Sequence, residues 1–484
     1  MTASDTLTSI MTEAVAAYRV MRRSSRTDRA RWLAAAADAL DAETDALVAL
    51  GQSETHLPEA RLRGELLRTT NQLRFFGTVI TEGAYLEATI DHPDASATPP
   101  IPDLRRMLVP LGPVAVFAAS NFPFAFSVMG GDTASALAAA NPVVVKVHPG
   151  HPELSRRVAA IARDALVGAG APQGVLATVE GRADATALVL HPATTAVGFT
   201  GSIPGGRALF DLAASRPVPI PFYGELGSLN PVVITARALD ARREQLTAGL
   251  VGSFTLGAGQ FCTKPGIVFV PSGSGFAADV AAAASSVSPQ QMLMPRISQG
   301  FRDRADAILG QHGVELVGGG SGSDLSSDAA APLVFSVRAH DLAADGGAAL
   351  EECFGPAVVI AEYDDDLLST LEQLPAGLTA TVHAEDGEDL DDLLAVLGEK
   401  AGRVLFDGWP TGVAVSWAQH HGGPYPATTS LFTSVGATAI RRFLRPLTYQ
   451  DAPVSVLPPE LRDDDHTGVV RRVDGRLEGV HRPG

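Results

Sequence analysis

A chain of 484 residues is too long for one ordinary core and is expected to fold as two large lobes with smaller attached elements. Its composition, 46% hydrophobic and 19% charged, excludes a disordered or fibrous protein, and a net charge of −17 sets its surface against nucleic acid and anionic membranes. No apolar stretch reaches the roughly 20 residues of a membrane span, and the charged N-terminus lacks a signal-peptide core. Two cysteines, Cys262 and Cys353, leave neither a disulfide framework nor a Cys-rich zinc site, so no metal is expected and the expected compartment is the cytoplasm.

From residue 5 to about 87, apolar residues recur at three- and four-residue spacing, as in Ala14, Ala17, Tyr18 and Met21 and in Leu33, Ala37, Leu40 and Leu47, which predicts helices. Asp91–Pro113 is Pro-rich and aperiodic and reads as an extended connector. Short apolar strands follow at Val114–Ala119, Val143–Val147, Val175–Val179 and Ala196–Thr200, separated by helical stretches at Ser127–Ala140, Glu153–Ala169, Ala183–Leu190 and Pro204–Ala214. This alternation predicts a parallel, doubly wound α/β sheet covered on both faces. A second alternation between Pro231 and His420, with strands at Val232–Thr235, Ile267–Pro271, Val358–Tyr363, Leu378–His383 and Val404–Asp407, predicts a second α/β lobe. The polar tail Leu457–Gly484 holds one strand candidate, Gly468–Val473. Neither that strand nor the connector finds a partner in the α/β rhythm, and an unpaired edge is a liability. Both are therefore expected to form a small β arm that pairs with another subunit.

Three segments carry chemistry. Gly257-Ala258-Gly259-Gln260-Phe261-Cys262 places glycines just before a thiol, where backbone N–H groups can build an oxyanion hole. Phe222-Tyr223-Gly224-Glu225-Leu226-Gly227 ends an apolar strand on a carboxylate, and Ala119-Ser120-Asn121-Phe122-Pro123 puts an amide at the carboxyl edge of the sheet, where ligands bind. Singly, Glu225 reads equally as a turn residue, Asn121 as a helix N-cap and each cysteine as a small buried hydrophobe. Together they supply a nucleophile, a base and an oxyanion donor on one scaffold.

With Phe199-Thr200-Gly201-Ser202, Gly206-Arg207 and Glu351-Glu352-Cys353-Phe354-Gly355-Pro356, these segments stand in an order that resembles the aldehyde dehydrogenase superfamily along essentially the whole chain. Within it, Leu57-Pro58-Glu59-Ala60-Arg61-Leu62, Gly130-Gly131-Asp132-Thr133-Ala134-Ser135-Ala136-Leu137, His421-Gly422-Gly423-Pro424-Tyr425-Pro426-Ala427-Thr428 and Arg442-Phe443-Leu444-Arg445-Pro446 most resemble the NADP-linked branch of 2-oxoglutarate-semialdehyde and bacterial fatty-aldehyde dehydrogenases. The resemblance implies a Rossmann-like cofactor domain built from 1–90 and 114–230, a catalytic domain at 231–425, and an oligomerisation arm from 91–113 and part of 426–484, in a homodimer or homotetramer.

The resemblance casts Cys262 as the nucleophile that attacks the aldehyde, Asn121 with the Cys262 N–H as oxyanion holder, and Glu225 as the base that activates water against the resulting thioester. His421 is a second candidate base. Lys146 is implied to hold the adenosine ribose, Gly201, Ser202 and Gly206 the pyrophosphate at a helix start, and Leu226, Gly227, Glu352 and Phe354 the nicotinamide end. NADP is expected ahead of NAD, because Pro149 stands where many NAD-preferring relatives carry a glutamate and Arg182 offers a phosphate contact. Arg68 is the candidate partner for a distal carboxylate on the aldehyde, with Phe122, Leu431 and Phe432 as further substrate contacts. The apolar Leu431-Phe432 pair argues the other way, toward a fatty or aromatic aldehyde. An inactive binding protein would be expected to lose Cys262, Glu225 or Asn121, and a CoA-acylating relative to lose Glu225; all three are present.

Overall fold

The computed structural model describes residues 3–319, 328–410, 412–464 and 467–479. Its first third is helical, as the spacing predicts, with helices at Ala3–Met21, Arg26–Ala42, Thr44–Thr55 and Glu59–Glu82. Local signals set their ends. The Ser25 hydroxyl accepts from the Asp28 N–H at 3.0 Å to cap the second helix, and Gly83, at φ 87°, closes the fourth in the left-handed conformation that only glycine adopts without cost. Trp32, Leu33, Leu40, Leu62, Leu73 and Phe76 share one core with Val143 and Val145 of the neighbouring sheet.

That sheet is parallel throughout. Its spatial order is Leu176–Val179, Val143–Lys146, Val114–Phe117, Ala196–Thr200, Phe222–Glu225. The strand order reverses between Val114–Phe117 and Ala196–Thr200, so the chain leaving the first and the chain leaving the second diverge from one crevice. Asn121 lies on one of these exits and Ser202 on the other. A second sheet runs Glu315–Gly319, Leu333–Arg338, Ala357–Tyr363, Ile267–Pro271, Val232–Ile234, Ala380–His383, Val404–Phe406, parallel except for its first pair.

Several expected boundaries shift for identifiable reasons. The helix expected over Ser127–Ala140 spans Gly131–Ala138, because Ser127 and Gly130 donate into tight turns at Phe124 and Ser127. The strand expected from Leu378 begins at Ala380, because the Leu378 N–H turns aside to the Ser228 hydroxyl at 2.8 Å. Glu315–Gly319 and Leu333–Arg338 join the second sheet beyond the expected strands.

The largest correction concerns the arm. Thr89–Asp91 and Leu104–Pro110 do have partners in their own chain: Thr89–Asp91 pairs with both Leu104–Pro110 and Arg471–Val473, and Leu104–Pro110 pairs along its whole length with Leu444–Gln450. With Arg476–Glu478 these make a five-stranded sheet, and only its outer strands, Leu444–Gln450 and Arg476–Glu478, keep a free edge among the described residues. A buried Arg442–Asp132 ion pair at 2.6 Å ties the chain entering Leu444–Gln450 to the helix Gly131–Ala138.

Candidate active site

The chain reaches Cys262 through an abrupt turn. After the helix Ala236–Thr255, Gly257, Ala258 and Gly259 take φ values of 57°, 56° and 67°, three left-handed residues in succession. An alanine in that conformation costs about 1–2 kcal/mol, and the Ala258 N–H bond to Gln290 Oε1 at 3.0 Å helps hold it. Gly259 packs directly on the Gly355 carbonyl, where a Cβ could not fit. Beyond the turn, the Asn230 amide donates to the carbonyls of Cys262 and Lys264 at 2.8 and 2.9 Å, and so clamps the backbone on both sides of Thr263.

Cys262 Sγ lies 3.6 Å from His421 Nε2, and that nitrogen lies 2.9 Å from Glu225 Oε1. The other carboxylate oxygen accepts from the Ser434 hydroxyl at 2.7 Å. Glu225, at the end of Phe222–Glu225, and His421 are 3% and 1% exposed, whereas Cys262 is half-buried. Burial works to raise the Glu225 carboxyl, but the His421 ring and the Ser434 hydroxyl outweigh it and hold the group below its usual value. Burial, reinforced by the Glu225 charge, pushes the Cys262 thiol well above its usual value. The resting nucleophile is therefore a thiol whose proton must be removed as it attacks, with His421 and Glu225 directly behind it.

Asn121 faces the same space. Its side-chain amide donates to the Gln260 carbonyl at 3.0 Å, one residue from the Phe261–Cys262 peptide. Two residues of Glu59–Glu82 fix its loop: Glu65 Oε1 accepts from the N–H groups of Phe124 and Ala125 at 2.8 and 2.9 Å, and Arg61 donates to the Asn121 carbonyl at 2.6 Å. Arg61 also lies over the rings of Phe122 and Phe261, which meet edge to face at 5.3 Å.

Arg68 comes from the same helix. Its Nε donates to the Val413 carbonyl at 3.0 Å, while both terminal nitrogens are buried without a hydrogen-bond partner among the described residues. The guanidinium sits over the Phe126 ring and feels the fields of Glu65, Cys262 and Glu225. Burial of such a group is costly unless an anion arrives. Leu431 and Phe432 do not join it. Leu431 is 89% exposed, and Phe432 packs edge-on against Tyr223 at 6.2 Å.

The residues expected at the cofactor lie along the crevice. Lys146 ends its strand half-buried, and its ammonium is lowered first by burial and then by Arg296. Ser202 caps the helix Ile203–Ala214, leaving Gly201 at the crevice exit and Gly206 pressed against Leu226 where a Cβ could not fit. The Glu352 carboxyl, pushed up to about 7 by burial, packs so tightly on Gly227 that a Cβ there would come within 2.7 Å of Oε2. Phe354 follows it, half-buried. Arg182 is exposed near the start of Gly181–Leu190.

Sequence reasoning missed Ser434, Asn230, Glu65 and the role of Arg61, all of which act through contacts between distant segments. It also missed Arg296 and Arg403. Arg403 has Nε and NH2 buried without a partner among the described residues and feels the field of Cys262. Only the Asn-Pro step at Asn230 carried a local signal, that of a strained turn before a strand.

Cys262, His421 and Glu225 thus meet in one cluster, with the Asn121 amide bonded to the nearby Gln260 carbonyl. Residues 2–429 match the aldehyde dehydrogenase family, and the chain belongs to it, as an NAD(P)-dependent oxidoreductase. It is 44% identical over 473 residues to alpha-ketoglutaric semialdehyde dehydrogenase 2 of Azospirillum brasilense, covering 96% of this chain and 90% of that protein. It is 40% identical to the alpha-ketoglutaric semialdehyde dehydrogenase of Acinetobacter baylyi, covering 98% and 92% of the two chains. Among solved structures, the gamma-glutamyl-gamma-aminobutyraldehyde dehydrogenase of Burkholderia cenocepacia superposes with a TM-score of 0.77 at 21% identity, over 92% of this chain and 88% of that one, a likeness of fold. No helix among the described residues is long and apolar enough to cross a membrane.

Proposed function

We propose that this enzyme oxidises 2-oxoglutarate semialdehyde to 2-oxoglutarate, with NADP in preference to NAD. The observation that carries the substrate is Arg68: a guanidinium with two buried nitrogens unpartnered among the described residues, within the field of Cys262, is suited to receive a carboxylate. Two relatives above 40% or at 40% identity bear the name of this activity, which supports the same reading. Leu431 is exposed rather than packed beside Arg68, which agrees with this reading.

In this reading the distal carboxylate docks on Arg68 and the chain of the substrate runs past Phe122 and Phe126 to Cys262. The thiol proton passes to His421 and on to solvent as Sγ attacks the aldehyde carbon, which leaves the Glu225 carboxylate unprotonated. The oxyanion is held by the Asn121 amide and the Cys262 N–H. Bound NAD(P) supplies the hydride acceptor, and Lys146, Ser202, Glu352 and Phe354 would hold it. Glu225, ionised by its partners, then takes a proton from water as that water attacks the Cys262 thioester. NADP is favoured by the absence of a carboxylate at Pro149 and by the cations gathered at the strand end, Lys146 and Arg296, with Arg182 nearby; the Glu180 carboxylate is engaged by Arg156 at 2.9 Å.

The free edge strands of the five-stranded sheet support pairing between copies, in a dimer or a dimer of dimers, which light scattering at micromolar concentration checks. The substrate and cofactor are tested by kcat/KM for 2-oxoglutarate semialdehyde and for a medium-chain aliphatic aldehyde, each with NADP and NAD. The proposal expects the semialdehyde with NADP to lead; a lead for the aliphatic aldehyde rejects the substrate, and a lead for NAD rejects the cofactor preference.

A further inference from the structure

We propose that Cys262, His421 and Glu225 also form an inhibitory binding site for Zn²⁺. This is not a Cys-rich zinc site: its three ligands come from separate segments and only one is a cysteine. One ligand atom from each residue lies within 4.8 Å of the other two. Tetrahedral zinc, with bonds of about 2.3 Å to sulfur and about 2.0–2.2 Å to nitrogen and oxygen, sets its ligand atoms roughly 3.4–3.6 Å apart. The Sγ–Nε2 separation of 3.6 Å already meets this, and the Nε2–Oε1 separation of 2.9 Å needs to open by only about half an ångström.

The donor set is selective. A thiolate, an imidazole and a carboxylate suit zinc, whereas magnesium and calcium seek oxygen ligands. Three protein ligands leave a fourth position free for water, on the half-buried face of Cys262 by which substrate must also arrive. On binding, the Cys262 S–H bond breaks and an S–Zn bond forms; the proton leaves to solvent and no electron changes hands. Occupancy therefore strengthens as pH rises. The same step removes the nucleophile and both candidate bases from catalysis. His421 Nδ1 is buried without a partner among the described residues. A zinc-bound histidine is normally fixed by a hydrogen bond from its other nitrogen, so the site lacks that support and releases its metal to a chelator.

The test titrates Zn²⁺ into the full-length protein and reads three quantities: zinc retained per chain after gel filtration, protection of Cys262 from iodoacetamide, and the spectrum with Co²⁺ in place of zinc. One zinc per chain is expected, with Cys262 protected until chelator is added and a near-ultraviolet thiolate-to-cobalt band in the unaltered protein. That band should vanish in Cys262→Ala. Apparent zinc affinity should fall at least about 10–100-fold in His421→Ala and in Glu225→Gln, the loss typical of weakening even a ligand's support. Mg²⁺ should neither protect the thiol nor compete. Undiminished zinc retention in Cys262→Ala would overturn the proposal, as would equal protection in the histidine and glutamate variants. The cobalt band needs no variant to fold, and its absence from the unaltered protein would overturn the proposal alone.

Discussion

The two cysteines sit in the same lobe, and burial drives both thiols upward, Cys353 to about 11 and Cys262 well above its usual value. Their surroundings diverge at the next atom. Cys353 lies in an apolar cluster with Phe301, Phe335 and Ile308, and among the described residues its sulfur hydrogen-bonds the Phe301 carbonyl, at 3.9 Å. Cys262 stands after three left-handed residues, 3.6 Å from an imidazole that is itself bonded to an ionised carboxylate. Acidity in the resting state does not distinguish a nucleophile from a core residue here. What distinguishes them is the imidazole and carboxylate beside Cys262, which in the proposed mechanism give its proton a place to go.

The widest separation the comparison predicts is between the cysteines themselves. Cys262→Ala should abolish aldehyde oxidation with either cofactor. Cys353→Ala should leave kcat unchanged and cost only roughly 0.5–3 kcal/mol of stability, read by urea unfolding. Activity surviving in Cys262→Ala would break the assignment outright.

Asn121 is the proposed oxyanion donor. Asn121→Ala should lower kcat by about 10²–10³, the usual loss for one oxyanion-hole donor, with thermal stability little changed because Glu65 and Arg61 still hold the loop. A loss shared equally between kcat and binding of an aldehyde-free inhibitor would point instead to a collapsed loop.

Arg68 sharpens the comparison at the substrate's far end. A charge-assisted bond to a carboxylate is worth about 1.5–3 kcal/mol, so Arg68→Met should cut kcat/KM for the semialdehyde roughly 10–150-fold. The aliphatic aldehyde should be unaffected or improved. Equal losses for both would remove Arg68 as the anchor.

The smallest effect concerns pH. Because the Cys262 thiol lies above its usual value, its thiolate fraction grows as pH rises. In His421→Ala, where a base behind the thiol is gone, the rate of the first turnover should be depressed near neutrality and climb toward the unaltered enzyme as pH becomes alkaline. A flat profile would mean that His421 does not serve the thiol.

How much of this was legible beforehand depends on where each signal resides. Ala196–Thr200 and Ile267–Pro271 were readable to the residue because their buried runs carry no polar alternation before the last residue. Leu104–Pro110 and Leu444–Gln450 were not, since arginines and prolines interrupt both, and they become strands only by pairing with each other across the chain. Cys262, Glu225 and Asn121 announced themselves through flanking glycines and sheet edges. Ser434 and Glu65 look like any surface serine and helical glutamate, and their work lies in bonds to Glu225 and to the Phe124 and Ala125 amides. The arm's strands were expected, but their pairing within the chain was not, for the same reason: a pairing between distant segments leaves no local trace.

The division of labour behind Cys262 is tested most directly by rapid mixing of Glu225→Gln with aldehyde and NADP. Attack and oxidation come before the water that Glu225 activates, and His421 remains to serve the thiol. The account predicts a fast burst of reduced cofactor near one equivalent per active site, followed by slow turnover. Loss of the burst itself would contradict it, and would make Glu225 the base that frees the cysteine.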